Sequence, residues 1–239
     1  MRWLWTVAVL ALVCTAGACG GLSAGGLSGK SASQVLALAR AAASREGSYH
    51  FIDQSESSGK ATDRLVGDSS NSNGQQELSG PYGLIEVERV GTTIYVRGSE
   101  ASIETPLELS QKLAAAAAGK WVSLVPGDAP YETISKALLP SAELDGYIPT
   151  GKLEVGSLSQ VRGHTVLAVS GSAPAVTGAS GVATLYVSTT APYVPVGGSL
   201  VGAGSQKKET EAVAFTAWGE KVVTKAPTGA RRYTSLLKS

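Results

Sequence analysis

After Gly47 the hydrophobic pattern of the chain switches to a period of two, and that period returns through most of the remaining sequence. Alternate residues of a pleated strand point to opposite faces, so such a pattern can be satisfied only by a sheet that buries one face. Residues 48–57, 60–69, 75–79, 83–90 and 92–97 read as short strands punctuated by Gly, Asn and Ser. The alternation is clearest where Ile85 and Val87 interleave with Glu86 and Glu88, and again where Ile94 and Val96 interleave with Tyr95 and Arg97. Strands resume at residues 153–158, 163–170, 182–189, 193–201, 208–218 and 221–226. Their hairpin-length connections predict an antiparallel meander.

Helical periodicity is confined to a few stretches. Ser31 or Ser33 can cap a helix through Val35, Leu36, Leu38, Ala39, Ala42 and Ala43, with Gly47 as its stop. Residues 106–118, with Pro106 in the first turn and Gly119 at the end, read as a second helix. Residues 129–139 read as a third, closed by Pro140, with 145–149 a loop. The class is α+β. Several late strands are apolar on both faces: Val166 and Ala168 alternate with Leu167 and Val169, and Ala183, Leu185 and Val187 with Val182 and Tyr186. These strands need cover on both sides, from helices, a second layer or a ligand.

The N-terminus dictates the compartment. Arg2 precedes an apolar run from Thr6 to Val13, the form of a secretory signal and too short to span a membrane permanently. Ala16-Gly17-Ala18-Cys19 is similar to a bacterial lipobox, although Ala16 stands where a branched aliphatic is usual. Residues 1–18 are therefore expected to be a lipoprotein signal peptide, with Cys19 carrying a diacylglyceryl thioether. Cleavage before Cys19 removes Cys14, so the folded part would hold no free thiol for a disulfide, a cysteine–zinc site or thiolate catalysis. Dual or triple acylation, palmitate included, would hold the protein on the extracytoplasmic face of the cell membrane, whereas one chain binds only marginally.

Charge removes further classes. The chain has 20 Lys and Arg against 19 Asp and Glu, and only 16% of its residues are charged, against about 25% in typical globular proteins. A protein that grips a phosphate backbone carries a basic face, so no nucleic-acid partner is expected.

Residues 19–32 read as a lipidated flexible tether and residues 33–239 as a single domain. Two motif matches inside the tether lack the elements that would give them chemistry. Residues 24–31 are similar to a P-loop, with Ala24 in place of the first Gly and no strand ahead of it. Residues 21–25 match a nucleophile elbow, but again without the strand and turn such a serine needs. His50 and His164, the two histidines of the chain, fall at strand positions, and Glu86 and Glu88 lie on a solvated strand face. No catalytic residue, metal site or cofactor is expected. An extracytoplasmic hydrolase would require a serine, or a carboxylate pair, converging on a pocket.

Several segments carry a resemblance: Ser48-Tyr49-His50-Phe51, Val90-Gly91-Thr92-Thr93-Ile94-Tyr95-Val96-Arg97-Gly98, Gly119-Lys120-Trp121-Val122, Leu185-Tyr186-Val187, Pro192-Tyr193-Val194-Pro195, Ala214-Phe215-Thr216-Ala217-Trp218-Gly219-Glu220 and Ala226-Pro227. In that order, after a lipobox and a small-residue tether, they resemble the LppX/LprG-type lipoproteins of actinobacteria, relatives of LolA in fold. The resemblance implies a strongly curved antiparallel half-barrel, helices over its concave face, and an apolar cavity between them that accepts acyl chains. The function it implies is trafficking or retention of envelope lipids or lipoglycans by a protein anchored to the cytoplasmic membrane. Alternation places Ile85, Val87, Ile94, Val96, Leu185, Val187, Val213 and Phe215 on one face, as candidates for the cavity wall. A competing expectation is an interaction or sensing lipoprotein that keeps the fold but fills the core, meeting a protein through an exposed surface such as residues 196–204.

Overall fold

The computed structural model describes residues 22–175, 180–203 and 208–238. Among them, β1 (Ser48–Ser57), β2 (Lys60–Ser70), β3 (Asn73–Gly80), β4 (Gly83–Val90) and β5 (Thr93–Gly98) run as an antiparallel meander. A second meander contains β7 (Thr150–Val161), β8 (His164–Ser172), β9 (Gly181–Ser188), β10 (Pro195–Ala203) and β11 (Lys208–Thr216). The two join because β1 pairs with β11, with Phe51 opposite Phe215. β6 (Val122–Leu124) extends the first meander, and β12 (Arg231–Arg232) adds to β6 as the parallel pairing. The result is one open, curved sheet with β12 and β7 at its edges.

Helices α1 (Ala32–Glu46), α2 (Glu100–Ile103), α3 (Gln111–Ala117), α4 (Tyr131–Ala137), α5 (Pro140–Tyr147) and α6 (Tyr233–Leu236) complete the described fold. The ends of α1 follow from local chemistry. Ser31 and Gln34 form a reciprocal capping box, and Gly47 closes the helix in the left-handed region at φ 71°. Its alanine-rich face lets it lie close on the sheet, where Val35 and Ala39 are fully covered.

Four local expectations are corrected. Residues 106–118 do not form one helix: Leu107 and Leu109, two positions apart, are both buried, which a helix face cannot achieve. An irregular turn with Glu108 at φ 51° does so instead, and α3 starts only at Gln111. Pro140 opens a helix rather than closing one. Proline needs no amide partner in a first turn, and its fixed φ suits that position. Residues 221–226 form no strand, and the chain passes instead to β12 and α6. Residues 145–149, read as a loop, begin inside the helix that Pro140 opens, which runs to Tyr147.

The segment read as a tether contributes Leu27 and Ala32 to the core, while most of its other residues from Gly25 onward are exposed. Gly25–Leu27 forms a 3-10 turn, and Leu27 is 1% exposed within the core under α1. Ser31, the last residue of the P-loop-like match, is the N-cap of α1. Of residues 196–204, expected to offer an exposed docking surface, 196–203 belong to β10, paired on both sides by β9 and β11. Gly198 is covered by Tyr147, whose ring a Cβ at this position would approach to 2.8 Å.

Two packed clusters occupy the concave face. One joins α1 and α5 to the inner face of β1 and β8–β11, and is built around Tyr49, Phe51, Tyr147 and Phe215. The other joins α2, α3, α4 and α6 to β4–β6 around Ile94, Val96, Ile103 and Leu124.

Candidate functional site

Between these clusters the inner face of β2–β4 is left uncovered by large side chains. Alternation puts Asp63, Leu65, Gly67 and Ser69 of β2 on this face, with Gln76, Leu78 and Gly80 of β3 beside them. The register builds two cross-strand rows. Leu65 faces Leu78 and Leu78 faces Ile85, while Gly67 faces Gln76 and Gln76 faces Val87. These rows form the floor of a cavity of about 660 Å³.

The roof comes from two places. Ala101, Thr105 and Pro106 lie in and after α2, while Ile134 and Ala137 belong to α4, which Leu138 ends. The last turn of α4 is fastened to the sheet by polar contacts. The Ser69 hydroxyl donates to the Leu138 carbonyl at 3.0 Å, and the Gln76 amide to the Ala137 carbonyl at 3.3 Å. These carbonyls are among those a helix end leaves without an internal partner. The lining is mainly apolar, and Asp63 is its one ionisable side chain apart from the phenol of Tyr82. The cavity is not sealed, since Leu78 and Tyr82 in its wall are 38% and 75% exposed.

The eight wall candidates divide among three places. Ile85 and Val87 line the cavity. Ile94 and Val96 are packed without exposure in the cluster beside it. Leu185, Val187, Val213 and Phe215 lie in the other cluster, under α1 and α5, where aromatic rings fill the space. Phe215 stands edge-on to Tyr49 at 5.3 Å and to Tyr147 at 6.4 Å, and Trp218 completes the group 4.8 Å from Tyr49. The lining residues that alternation did not single out are Leu65 and Leu78, in strands with mixed patterns, and the roof residues. Helix α4 is half-buried, so its side facing the cavity carries no strong sequence signal. Cys19, the expected lipidation site, lies outside the described residues.

A polar group adjoins the cavity on the same face. Asp53 lies in register with Leu65, and Glu211 with Ser55, which is in turn opposite Asp63. The Tyr147 hydroxyl stands 2.5 Å from Asp53 Oδ2 and 3.0 Å from Glu211 Oε1. Glu143 of α5 approaches from above, with a buried Oε1 that no hydrogen bond satisfies. Burial, with Glu143 beside it, pushes the Asp53 carboxyl up to about 7. Burial and the charge of Asp53 push Glu211 up to about 7. Burial likewise raises Glu143, aided by Glu211.

The other polar clusters have structural partners. His50 Nδ1 lies 2.8 Å from Asp68 on the opposite face, and Gln75 donates to the second Asp68 oxygen at 2.6 Å. Arg97 makes a two-pronged contact with Glu86, both distances 2.7 Å, while stacking over Trp121. His164 opens β8 as an exposed residue. Among the described residues, no helix is long and apolar enough to cross a membrane, and no three His, Cys, Asp or Glu side chains are grouped to hold a metal ion.

No protein-family profile matches the chain, and no curated protein matches it in sequence. Solved structures do match. The Mycobacterium tuberculosis lipoprotein LppX aligns over 81% of this chain and 98% of its own, with a TM-score of 0.52 and 12% identity. LprF from Mycobacterium bovis aligns over 83% of this chain and 97% of its own, again at 0.52, with 16% identity. The chain shares the LolA-like fold of these two proteins, an open curved antiparallel sheet with helices across its concave face.

Proposed function

We propose that this protein is a lipid-anchored extracytoplasmic lipoprotein that binds the acyl chains of envelope lipids or lipoglycans, for their trafficking or retention, and performs no chemistry on them. The observation that carries this reading is the cavity between β2–β4 and α2 and α4. Its volume, about 660 Å³, lies inside the roughly 300–1,000 Å³ range of small-molecule sites. Each methylene moved from water into such a wall gains about 0.8 kcal/mol, so ten of them supply about 8 kcal/mol. Apolar lining is what an acyl chain requires, and a sequence with a lipobox-like Ala16-Gly17-Ala18-Cys19 supplies the means of staying near its source. The fold shared with LppX, itself named a lipoprotein, fits the same assignment.

The test is photo-cross-linking. Membranes carrying the full chain are exposed to a diazirine-bearing palmitoyl lipid and irradiated. Cross-links are expected in peptides containing Leu78 and Ile134. Replacing Val87 with Trp fills the floor of the cavity and should weaken labelling by about tenfold, the equivalent of about 1.4 kcal/mol. Labelling confined to other surfaces, or unchanged by that substitution, rejects the reading.

A further inference from the structure

We propose that α5 is held on the sheet by a shared proton: Asp53 of β1, Glu211 of β11 and Glu143 of α5 keep the helix docked while at least one carboxyl is protonated, and loosen it when all are ionised. The first support is proton counting. The Tyr147 hydroxyl has one hydrogen, yet it lies within hydrogen-bond distance of oxygens from both Asp53 and Glu211. If it donates to one, the contact with the other is favourable only when that carboxyl carries a proton to donate back. A fully ionised cluster would set lone pair against lone pair.

The second support is the absence of compensation. Among the described residues, the groups that govern the protonation of these carboxyls are Tyr147 and Glu143 from α5, Asp63 from β2, and one another, with no cation among them. Tyr49 of β1 points at the start of α5, donating its hydroxyl to the Pro140 carbonyl. Asp145 meets Arg40 of α1 at 3.3 Å, with both side chains well exposed. The helix is thus pinned at Pro140 and bridged to α1 on its outer side, while on its inner side, beside the buried Leu144 and Tyr147, its own Glu143 meets Asp53 and Glu211 of the sheet. Burial is the main cause of the raised proton affinities of all three, and like charges sharing a buried site cannot all ionise cheaply.

The site is placed to affect the cavity. Helix α5 follows α4 across Leu138 and Leu139, and Asp63 and Leu65, which line the cavity, lie beside the cluster on β2. Loosening α5 therefore frees one side of the junction whose other side is the cavity roof. That consequence rests on the proposed acyl-binding role; the proton-dependent docking does not.

The experiment measures both on the full chain in phospholipid nanodiscs. Hydrogen exchange of the α5 amides, corrected for intrinsic rates, is compared at about pH 5.5 and about pH 8.5, with α1 as internal reference; protection in α5 is expected to fall by about tenfold while α1 changes little. Asp53→Asn with Glu211→Gln keeps the shapes but removes both ionisations, and should abolish the pH response. Glu143→Gln removes the one carboxyl ionisation that α5 itself contributes to the cluster, leaves Asp53 and Glu211 in place, and should reduce it. An α5 equally protected at both pH values, or a loss that survives in these variants, overturns the proposal. In parallel, release of a fluorescent palmitoyl lipid is timed at the same pH values. Faster release in step with α5 exchange supports coupling to the cavity. If no lipid binds at any pH while α5 loosens, the acyl-binding reading falls and the latch stands; if lipid binds and α5 never loosens, the latch falls alone.

Discussion

The two halves of the concave face begin from the same pattern and end differently. Under α1 and α5, the inner positions of β1 and β11 hold Tyr49, Phe51 and Phe215, and the rings interlock with Tyr147 and Trp218. Under α2 and α4, the inner positions of β2 and β3 hold Asp63, Leu65, Gly67, Gln76, Leu78 and Gly80, which are short or polar by comparison. Curvature alone does not make a cavity. A curved sheet roofed by short helices leaves space, and the volume of the inward side chains decides whether protein atoms or a ligand fill it. Here protein atoms fill the space under α1 and α5, whereas the space between β2–β4 and the helices α2 and α4 is left open.

The contrast can be broken most directly by truncating both halves. Phe215→Ala opens a hole among packed rings and should cost about 3–5 kcal/mol by urea denaturation. Leu78→Ala in the cavity wall removes a side chain that is already 38% exposed, and should cost less than about 1 kcal/mol. Equal losses would mean that the cavity side is packed as tightly as the other.

The next effect sharpens the comparison through pH. Asp53 and Glu211 bind protons more tightly in the folded chain than as free carboxyls, so the folded state holds more protons between about pH 4 and the value of about 7. Stability must therefore fall as pH rises through that window, by at most about 1.4 kcal/mol per pH unit for each retained proton, and level off above it. Thermal unfolding followed from acid to neutral pH checks the sign, and Asp53→Asn should flatten the curve. A rise in stability across the window would show that the carboxyls gain partners on ionising.

A smaller effect concerns the roof of the filled half. Ser31→Ala removes the side-chain half of the capping box on α1 and should destabilise by about 1 kcal/mol, read from the urea midpoint. Since α1 packs away from the cavity, acyl labelling should be unaffected. Changed labelling would tie the two halves together more closely than their packing indicates.

Much of the sheet was legible because alternation is a local signal. Ile85 and Val87 against Glu86 and Glu88 marked both strand and inner face, and the capped, glycine-stopped α1 was readable at both ends. The cavity was only half legible. The alternation that selected Ile85 and Val87 selected Leu185, Val187, Val213 and Phe215 equally, and nothing local separates a residue facing a space from one facing a ring. Pro140 misled in another way: proline is compatible with the residue after one helix and with the first turn of the next, and only the packing of Tyr147 against Gly198 and Phe215 shows which applies.

By itself, the sequence determined the class, the antiparallel meanders, the first helix and the absence of a strong charge field, because each depends on near neighbours or on a sum over residues. Tertiary structure decided which apolar residues border empty volume, and that Asp53, Glu143 and Glu211 share one buried site though they are far apart along the chain. Both are matters of distance between remote segments, and a one-dimensional pattern carries no record of which side chains from other strands and helices occupy the space it faces.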